Sequence, residues 1–308
     1  MATATRRQIL ASACGGAGLL ALPGGLWPQH ARAQDTGADV LGLGERLHVI
    51  TADGVNALAF TGADGTGLVD GGSSATSRAV LAAVSRLPGA GPVETLFNTH
   101  WHPEQTGSNI ALAAAGATII AQENTRLWLS TDITWPWDGR RFAPLPVAAQ
   151  PAVTFYDDGG ELPSGIRYGH LRHAAHTDGD LYVQFPEENV LAVGGAITGS
   201  GWPLIDWWTG GWIGGLVGTL ELLLSLADTQ TRIVAAHGRV MQRDDLERQF
   251  EMYNSIYNRL AEMLNRGRGP EEAVAARPAA EFDAEMGESE EFIRQAFQSL
   301  WAYLSPDA

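Results

Sequence analysis

The stretch "NTHWHPEQTGSN", residues 98–109, decides how this chain is read. It begins where an apolar run, "VETLF", gives out, and two histidines, His100 and His102, follow one residue apart. Neutral imidazole is the commonest metal ligand. A His-x-His pair at a strand exit is therefore half of a metal site. The next polar positions, Glu104 and Gln105, bear on what kind of site it is.

Around this stretch, strand-like and helix-like segments alternate. Upstream lie "RLHVITA" (46–52), "VNALAFTG" (55–62) and "GTGLVDGG" (65–72), then "SATSRAVLAAVSRL" (74–87) with helical spacing. Downstream come a helix at "ALAAAG" (111–116), a strand at "ATII" (117–120), and the strands "AVTFYDD", "IRYGHLRH", "DLYVQFP" and "NVLAVGG" between residues 152 and 195. A helix over 216–228, the strand "TRIVAAHG" (231–238) and helices over 243–267, 270–276 and 289–304 follow. This alternation predicts an α/β fold. Two segments break the pattern, a proline- and tryptophan-rich loop over 131–150 and "GWPLIDWWTGGW" over 201–212. A loop as long as the first is usually functional or mobile.

The 308 residues, 45% hydrophobic and 18% charged, suit a globular protein with a sizeable core. A net charge of −15 argues against nucleic acid as a partner, since phosphates need a basic face, and a small-molecule substrate is expected instead. Arg6-Arg7, the apolar stretch from Ile9 to about Leu26 and "ARA" at 31–33 predict a cleaved twin-arginine-type signal over residues 1–33. That implies a periplasmic or secreted protein without a transmembrane segment in the mature chain. The only cysteine, Cys14, leaves with the signal, so a metal must be held by His, Asp or Glu.

Four histidines stand where strands end: His100 and His102, His176 after "IRYGHLRHAA", and His237 after "TRIVAA". Strand exits in an α/β sheet converge on one rim, so the four can meet. Three neutral imidazoles and a water make a workable zinc site. His30, His48, His170 and His173 are read as turn or surface residues.

In "LVDGG", "NTHWHPEQTGSN", "AHTDGDLYVQFPEENVLAVGG" and "IVAAHG", taken in that order, the chain resembles the metallo-β-lactamase fold superfamily over roughly residues 40–240. The resemblance implies a four-layer αβ/βα sandwich, two mixed β-sheets face to face with helices outside. It implies a first metal on His100, His102 and His176, a second near His237, and Asp70 orienting the metal-binding loop from behind. The corresponding boundaries are 34–242 for this domain and 243–308 for a C-terminal helical extension.

The chain departs from the superfamily at two points. The usual His-x-His-x-Asp-His has Glu104 for the aspartate and Gln105 for the last histidine, and the strand that normally ends Gly-Asp ends Gly194-Gly195. A reduced site is expected, with about one zinc held tightly and a second site weak or absent. Glu104 is the expected proton acceptor. Asp180 is expected to be structural; Asp178 is left unassigned, with a solvated turn residue favoured over a replacement for the lost negative charge. Supplying Gln105→His and Gly195→Asp together is expected to restore a second metal. Trp101, Trp135, Trp137, Trp202, Trp207 and Trp208 are expected to line an apolar groove over the metal. Arg140 and Arg141 are read as solvated surface, with binding of an acidic group on the substrate as the alternative. The resulting reading is an exported zinc-dependent hydrolase that cleaves an ester, amide or lactone bond of a small, partly apolar substrate through a metal-bound water. The alternatives are a non-catalytic metal- or ligand-binding protein on a degenerate metallo-hydrolase fold, and an iron-dependent oxidoreductase or accessory factor.

Overall fold

The computed structural model describes residues 37–62 and 64–304. The expected signal segment, residues 1–33, lies outside them. In chain order, β1 (Asp39–Gly42), β2 (Leu47–Ala52), β3 (Val55–Gly62) and β4 (Gly65–Val69) pair antiparallel. After α1 (Ser77–Val84), β5 (Val93–Phe97) joins β4 in parallel. Then come α2 (Pro103–Thr106), α3 (Asn109–Ala114), β6 (Thr118–Gln122) and α4 (Glu123–Leu129). β7 (Ile133–Thr134) and β8 (Arg141–Phe142) form a hairpin of their own, and β9 (Val153–Phe155) completes a seven-stranded sheet beside β6.

The second sheet has five strands: β10 (Gly160–Glu161), β11 (Arg167–His170), β12 (Leu181–Phe185) and β13 (Val190–Gly194), then, after α5 (Ile213–Leu226), β14 (Arg232–Ala235) parallel to β13. Four helices follow, α6 (Arg243–Asn265), α7 (Pro270–Ala276), α8 (Asp283–Met286) and α9 (Glu290–Leu304).

Three apolar layers separate these parts. Strands β2 and β3 are apolar on both faces because both faces are covered. Leu47, Val49, Leu58 and Phe60 point to the second sheet and meet Leu181, Val183 and Phe185, with the Phe60 and Phe185 rings 5.5 Å apart. Their neighbours Ile50, Ala57 and Ala59 point outward to Val80, Val84 and Leu112 of α1 and α3. On the far side, Leu191, Val193 and Ile233 pack against Leu216, Leu220 and Leu223 of α5. The same core takes in Leu246, Tyr253 and Ile256 of α6 and Phe292, Ala296 and Leu300 of α9. The four-layer sandwich read from the sequence is the fold observed. The helices after residue 243 share the outer core of the second sheet.

Two local expectations change. The loop over 131–150 contains the β7–β8 hairpin, closed by Trp135 N–H to the Arg140 carbonyl at 2.9 Å. His176 does not directly follow a strand, since β11 ends at His170 and the loop 171–180 carries it back to the start of β12. Among the described residues no helix is long and apolar enough to cross a membrane.

Candidate metal centre

The opening stretch is tied at both ends. Asn98 and Asn109 are fully buried and exchange side-chain amide hydrogen bonds of 3.0 and 2.8 Å. The stretch is also stitched to the turn after β4, where Gly71 N–H donates to the Gln105 carbonyl at 2.8 Å and Gly107 N–H to the Gly72 carbonyl at 2.9 Å. Backbones come this close only without side chains: a Cβ at Gly71 would run into the Ser108 hydroxyl, and one at Gly107 into the backbone of Ser73 and Ser74. The "DGG" and "TGS" glycines thus fix the path that carries the two histidines.

His100, His102 and His176 meet, with one ligand atom from each within 4.8 Å of the others, and all three are buried. Each ring has one nitrogen engaged. Thr99 donates its hydroxyl hydrogen to Asp70 Oδ2 at 2.8 Å, so its oxygen accepts from His100 Nδ1–H at 3.0 Å. His102 Nε2–H donates to Asp206 Oδ2 at 2.9 Å. His176 Nδ1–H donates to the Leu204 carbonyl at 2.7 Å. These partners fix the tautomers and leave His100 Nε2, His102 Nδ1 and His176 Nε2 as bare lone pairs.

Two of those bare nitrogens, His102 Nδ1 and His176 Nε2, face each other at 3.0 Å. Lone pairs at that distance repel unless a proton or a metal cation lies between them. A tetrahedral zinc with Zn–N bonds of about 2.0–2.1 Å separates its ligand nitrogens by roughly 3.3 Å, so the residues fit a metal. Burial, and then the charge of neighbouring histidines, holds His100 and His102 well below the ordinary imidazole range. Burial lowers His176 as well, against the opposing pull of the Leu204 carbonyl and of Asp206. Neutral imidazoles are the form a metal needs. The His102–Asp206 contact is for the same reason a neutral N–H donating to a carboxylate rather than an ion pair.

The supporting groups are buried too. Asp70 accepts from Thr99 N–H at 2.9 Å and has φ +60°, a left-handed conformation that aspartate tolerates better than most residues. Burial pushes its carboxyl up to about 7, with the Thr99 hydrogen bonds opposing. Asp180 accepts from the His176 and Thr177 backbone N–H groups at 2.8 and 3.1 Å and so holds the turn that presents His176. Asp178 accepts from Trp128 Nε1–H at 2.7 Å, and burial raises its carboxyl to about 6. It is a partly buried, bonded group, not a solvated turn residue.

The second half-site is different. Gln105 is fully buried; its amide stands beside His100, whose protonation it favours, but makes no hydrogen bond of ordinary geometry. His237 is exposed, with Nδ1 against the Gly54 carbonyl at 3.3 Å, and stands outside the three-histidine cluster. Glu104 is half-buried near His176, whose protonation its charge favours. The gap at Gly195 is already filled, because a Cβ there would lie 2.6 Å from His176 Nε2. The carboxylate that the sequence alone suggests adding at 195 therefore has room only if the His176 ring moves.

The tryptophans divide. Trp101 and Trp135 are buried, at 2% and 1% exposure, and pack edge-on to His102 with centroids 4.6 and 5.2 Å away. They form a floor beneath the histidines and not the wall of an open groove. Their N–H groups donate to Thr209 Oγ1 at 3.0 Å and Asp206 Oδ2 at 3.3 Å. Trp137 stacks on Trp135 at 4.8 Å, Trp207 lies 5.9 Å from Trp137, and Trp208 is half exposed. Trp202 departs from the set, for it stacks on Phe292 of α9 at 4.5 Å and donates to the Gly287 carbonyl. Arg140 lies over the Trp135 ring at 4.4 Å and also pairs with Asp138. Arg141 pairs with Asp132 on the surface.

The residue that sequence reasoning missed is Asp206. It is fully buried, gathers His102, Trp135 and Thr209, and donates its own backbone N–H to the His176 carbonyl at 3.0 Å. The only signal was a lone acid inside the tryptophan-rich "GWPLIDWWTGGW".

Comparison with known proteins gives a match to the family model of the metallo-beta-lactamase superfamily over residues 50–237. Among solved structures, a metallo-beta-lactamase from Erythrobacter litoralis aligns at 19% identity and TM-score 0.55, covering 71% of this chain and 96% of its own. One from Hirschia baltica aligns at 17% and 0.54, covering 70% and 97%. The inverting sec-alkylsulfatase Pisa1 from Pseudomonas sp. aligns at 14% and 0.64, covering 85% of this chain and 50% of its own.

Proposed function

The chain belongs to the metallo-β-lactamase superfamily, and on that premise we propose that it is an exported, zinc-dependent hydrolase with one tightly held metal. The observation that carries this reading is the pair of bare imidazole nitrogens, His102 Nδ1 and His176 Nε2, at 3.0 Å, with the third histidine beside them. When bound, zinc supplies Lewis acidity to a scissile centre and lowers the pKa of water to about 7. The remaining work falls to this chain's own residues. Thr99, Asp206 and the Leu204 carbonyl orient the three rings. Glu104, with no hydrogen-bond partner among the described residues, is free to accept a proton beside His176.

Trp137, Trp207 and Trp208 offer an apolar rim for the substrate, which is small, partly apolar and carries an ester, amide or lactone bond. His237, exposed and apart, with Gln105 and Glu104, makes at most a weak second site. The test is metal analysis of the purified protein together with a panel of ester, lactone, β-lactam and sulfate-ester substrates. One zinc per chain, with turnover lost on chelation and in His102→Ala, is the expected result. Two metals surviving dialysis against a weak chelator, or redox-active iron in place of zinc, rejects it.

A further inference from the structure

The loop between β13 and α5 carries two of the three groups that orient the triad. The Leu204 carbonyl holds His176 and the Asp206 carboxylate holds His102. Between them stands Ile205, fully buried, whose backbone N–H donates to Gln295 Oε1 at 3.3 Å. Gln295 lies on α9, is 6% exposed, and donates from its other amide atom to Glu291 Oε1 at 3.0 Å. The amide is thereby held in one orientation, oxygen toward the loop. The same helix takes Ile213 N–H on Ser299 Oγ at 3.1 Å, beyond the segment that meets the histidines. His100 differs from the other two histidines: its partners, Thr99 and Asp70, follow β5 and β4 of the first sheet and owe nothing to α9.

We propose that α9 is a positioning element of the histidine site, in which Gln295 pins Ile205 and so sets the directions from which Leu204 and Asp206 hold His176 and His102. The proposal rests on the triad's being a metal centre, and it concerns the rings themselves, so it can be read without metal. With Ile205 pinned, both acceptors sit on one short rigid segment. With it free, a shift of that segment moves both at once and lets each ring exchange the nitrogen that bears hydrogen.

Gln295→Met keeps the shape and removes the acceptor. Ring-15N NMR of the metal-free protein at neutral pH is expected to show, in the wild type, His102 as the Nε2–H tautomer and His100 and His176 as Nδ1–H tautomers. In Gln295→Met, His102 and His176 become mixtures, His100 stays as it was, and zinc affinity falls by about tenfold or more. Gln295→Glu combined with Glu291→Gln exchanges the bonded pair, retains an acceptor at 295 and restores both readouts. Ser299→Ala removes the neighbouring anchor and lowers the melting temperature, yet leaves tautomers and affinity alone. If Gln295→Met is recovered unfolded, Gln295→Asn, which withdraws the oxygen by one methylene, is read in the same way.

Unchanged tautomers with affinity within twofold overturn the proposal, as does an equal change in Ser299→Ala, which would mark a general loosening. A wild-type protein that binds no zinc defeats the metal reading alone, because the tautomer comparison then still decides the positioning.

Discussion

A methyl group at position 195 probes the site more sharply than removal of a ligand. In Gly195→Ala the new Cβ would lie 2.6 Å from His176 Nε2, where carbon contacts are ordinarily about 3.5–4.0 Å. The ring must withdraw by roughly 1 Å. It has little freedom to do so, because its Nδ1 is bonded to the Leu204 carbonyl at 2.7 Å and its backbone N–H to Asp180 at 2.8 Å. Overpacking of this kind costs about 1–3 kcal/mol, visible as a lower melting temperature of the metal-free protein. Withdrawal also moves the nitrogen that faces His102.

Disturbing the support of a ligand histidine weakens metal binding about 10- to 100-fold, and displacing the ligand itself should do at least as much. At saturating zinc that is a further loss of about 1.4–2.7 kcal/mol in metal-linked stability. The assay is a zinc titration in competition with a chromophoric chelator, paired with melting curves with and without EDTA. An affinity within threefold of wild type, with an unchanged metal-free melting temperature, would refute the placement of the His176 ring against Gly195. By the same geometry, Gln105→His with Gly195→Asp, which the sequence alone suggests would recruit a second metal, is expected to hold one metal or fewer after dialysis.

Three further outcomes follow from the site. Glu104→Gln should keep its metal and lose about a hundredfold or more in kcat; unchanged kcat would place the proton acceptor elsewhere. Asp206→Asn keeps the shape but weakens the acceptor for His102 Nε2–H, so zinc affinity should drop about 10- to 100-fold, and a titration indistinguishable from wild type counts against it. Trp208→Ala, at a half-exposed rim position, should raise KM for apolar substrates with little change in kcat; an equal fall in kcat with KM unchanged would argue against a binding role.

The sandwich was legible because its physics is local. β2 and β3 are apolar on alternate residues toward two different partners, which writes a nearly continuous apolar run into the sequence. The His-x-His pair was legible because a strand delivers both residues within a few positions. Asp206 was not, since its meaning depends on His102, 104 residues away. Nor could the sequence separate floor from rim among the tryptophans. Trp101 and Trp135 are as bulky and apolar as Trp207, and they are buried because Thr209 and Asp206 happen to accept their N–H groups. An indole N–H with an acceptor can be buried at little cost, whereas one without is better left at the surface.

The glycines at 194 and 195 read, in one dimension, as a loss, a bridging carboxylate deleted. In three dimensions they are room. A Cβ at Gly194, which has φ +56°, would strike the Thr99 side chain, and one at Gly195 the His176 ring. Thr99 orients His100, and His176 supplies the third imidazole. The strand end therefore gives its space to the groups that build the three-histidine cluster. On this geometry a side chain restored at 195 requires the His176 ring, and with it one corner of the three-histidine cluster, to give way.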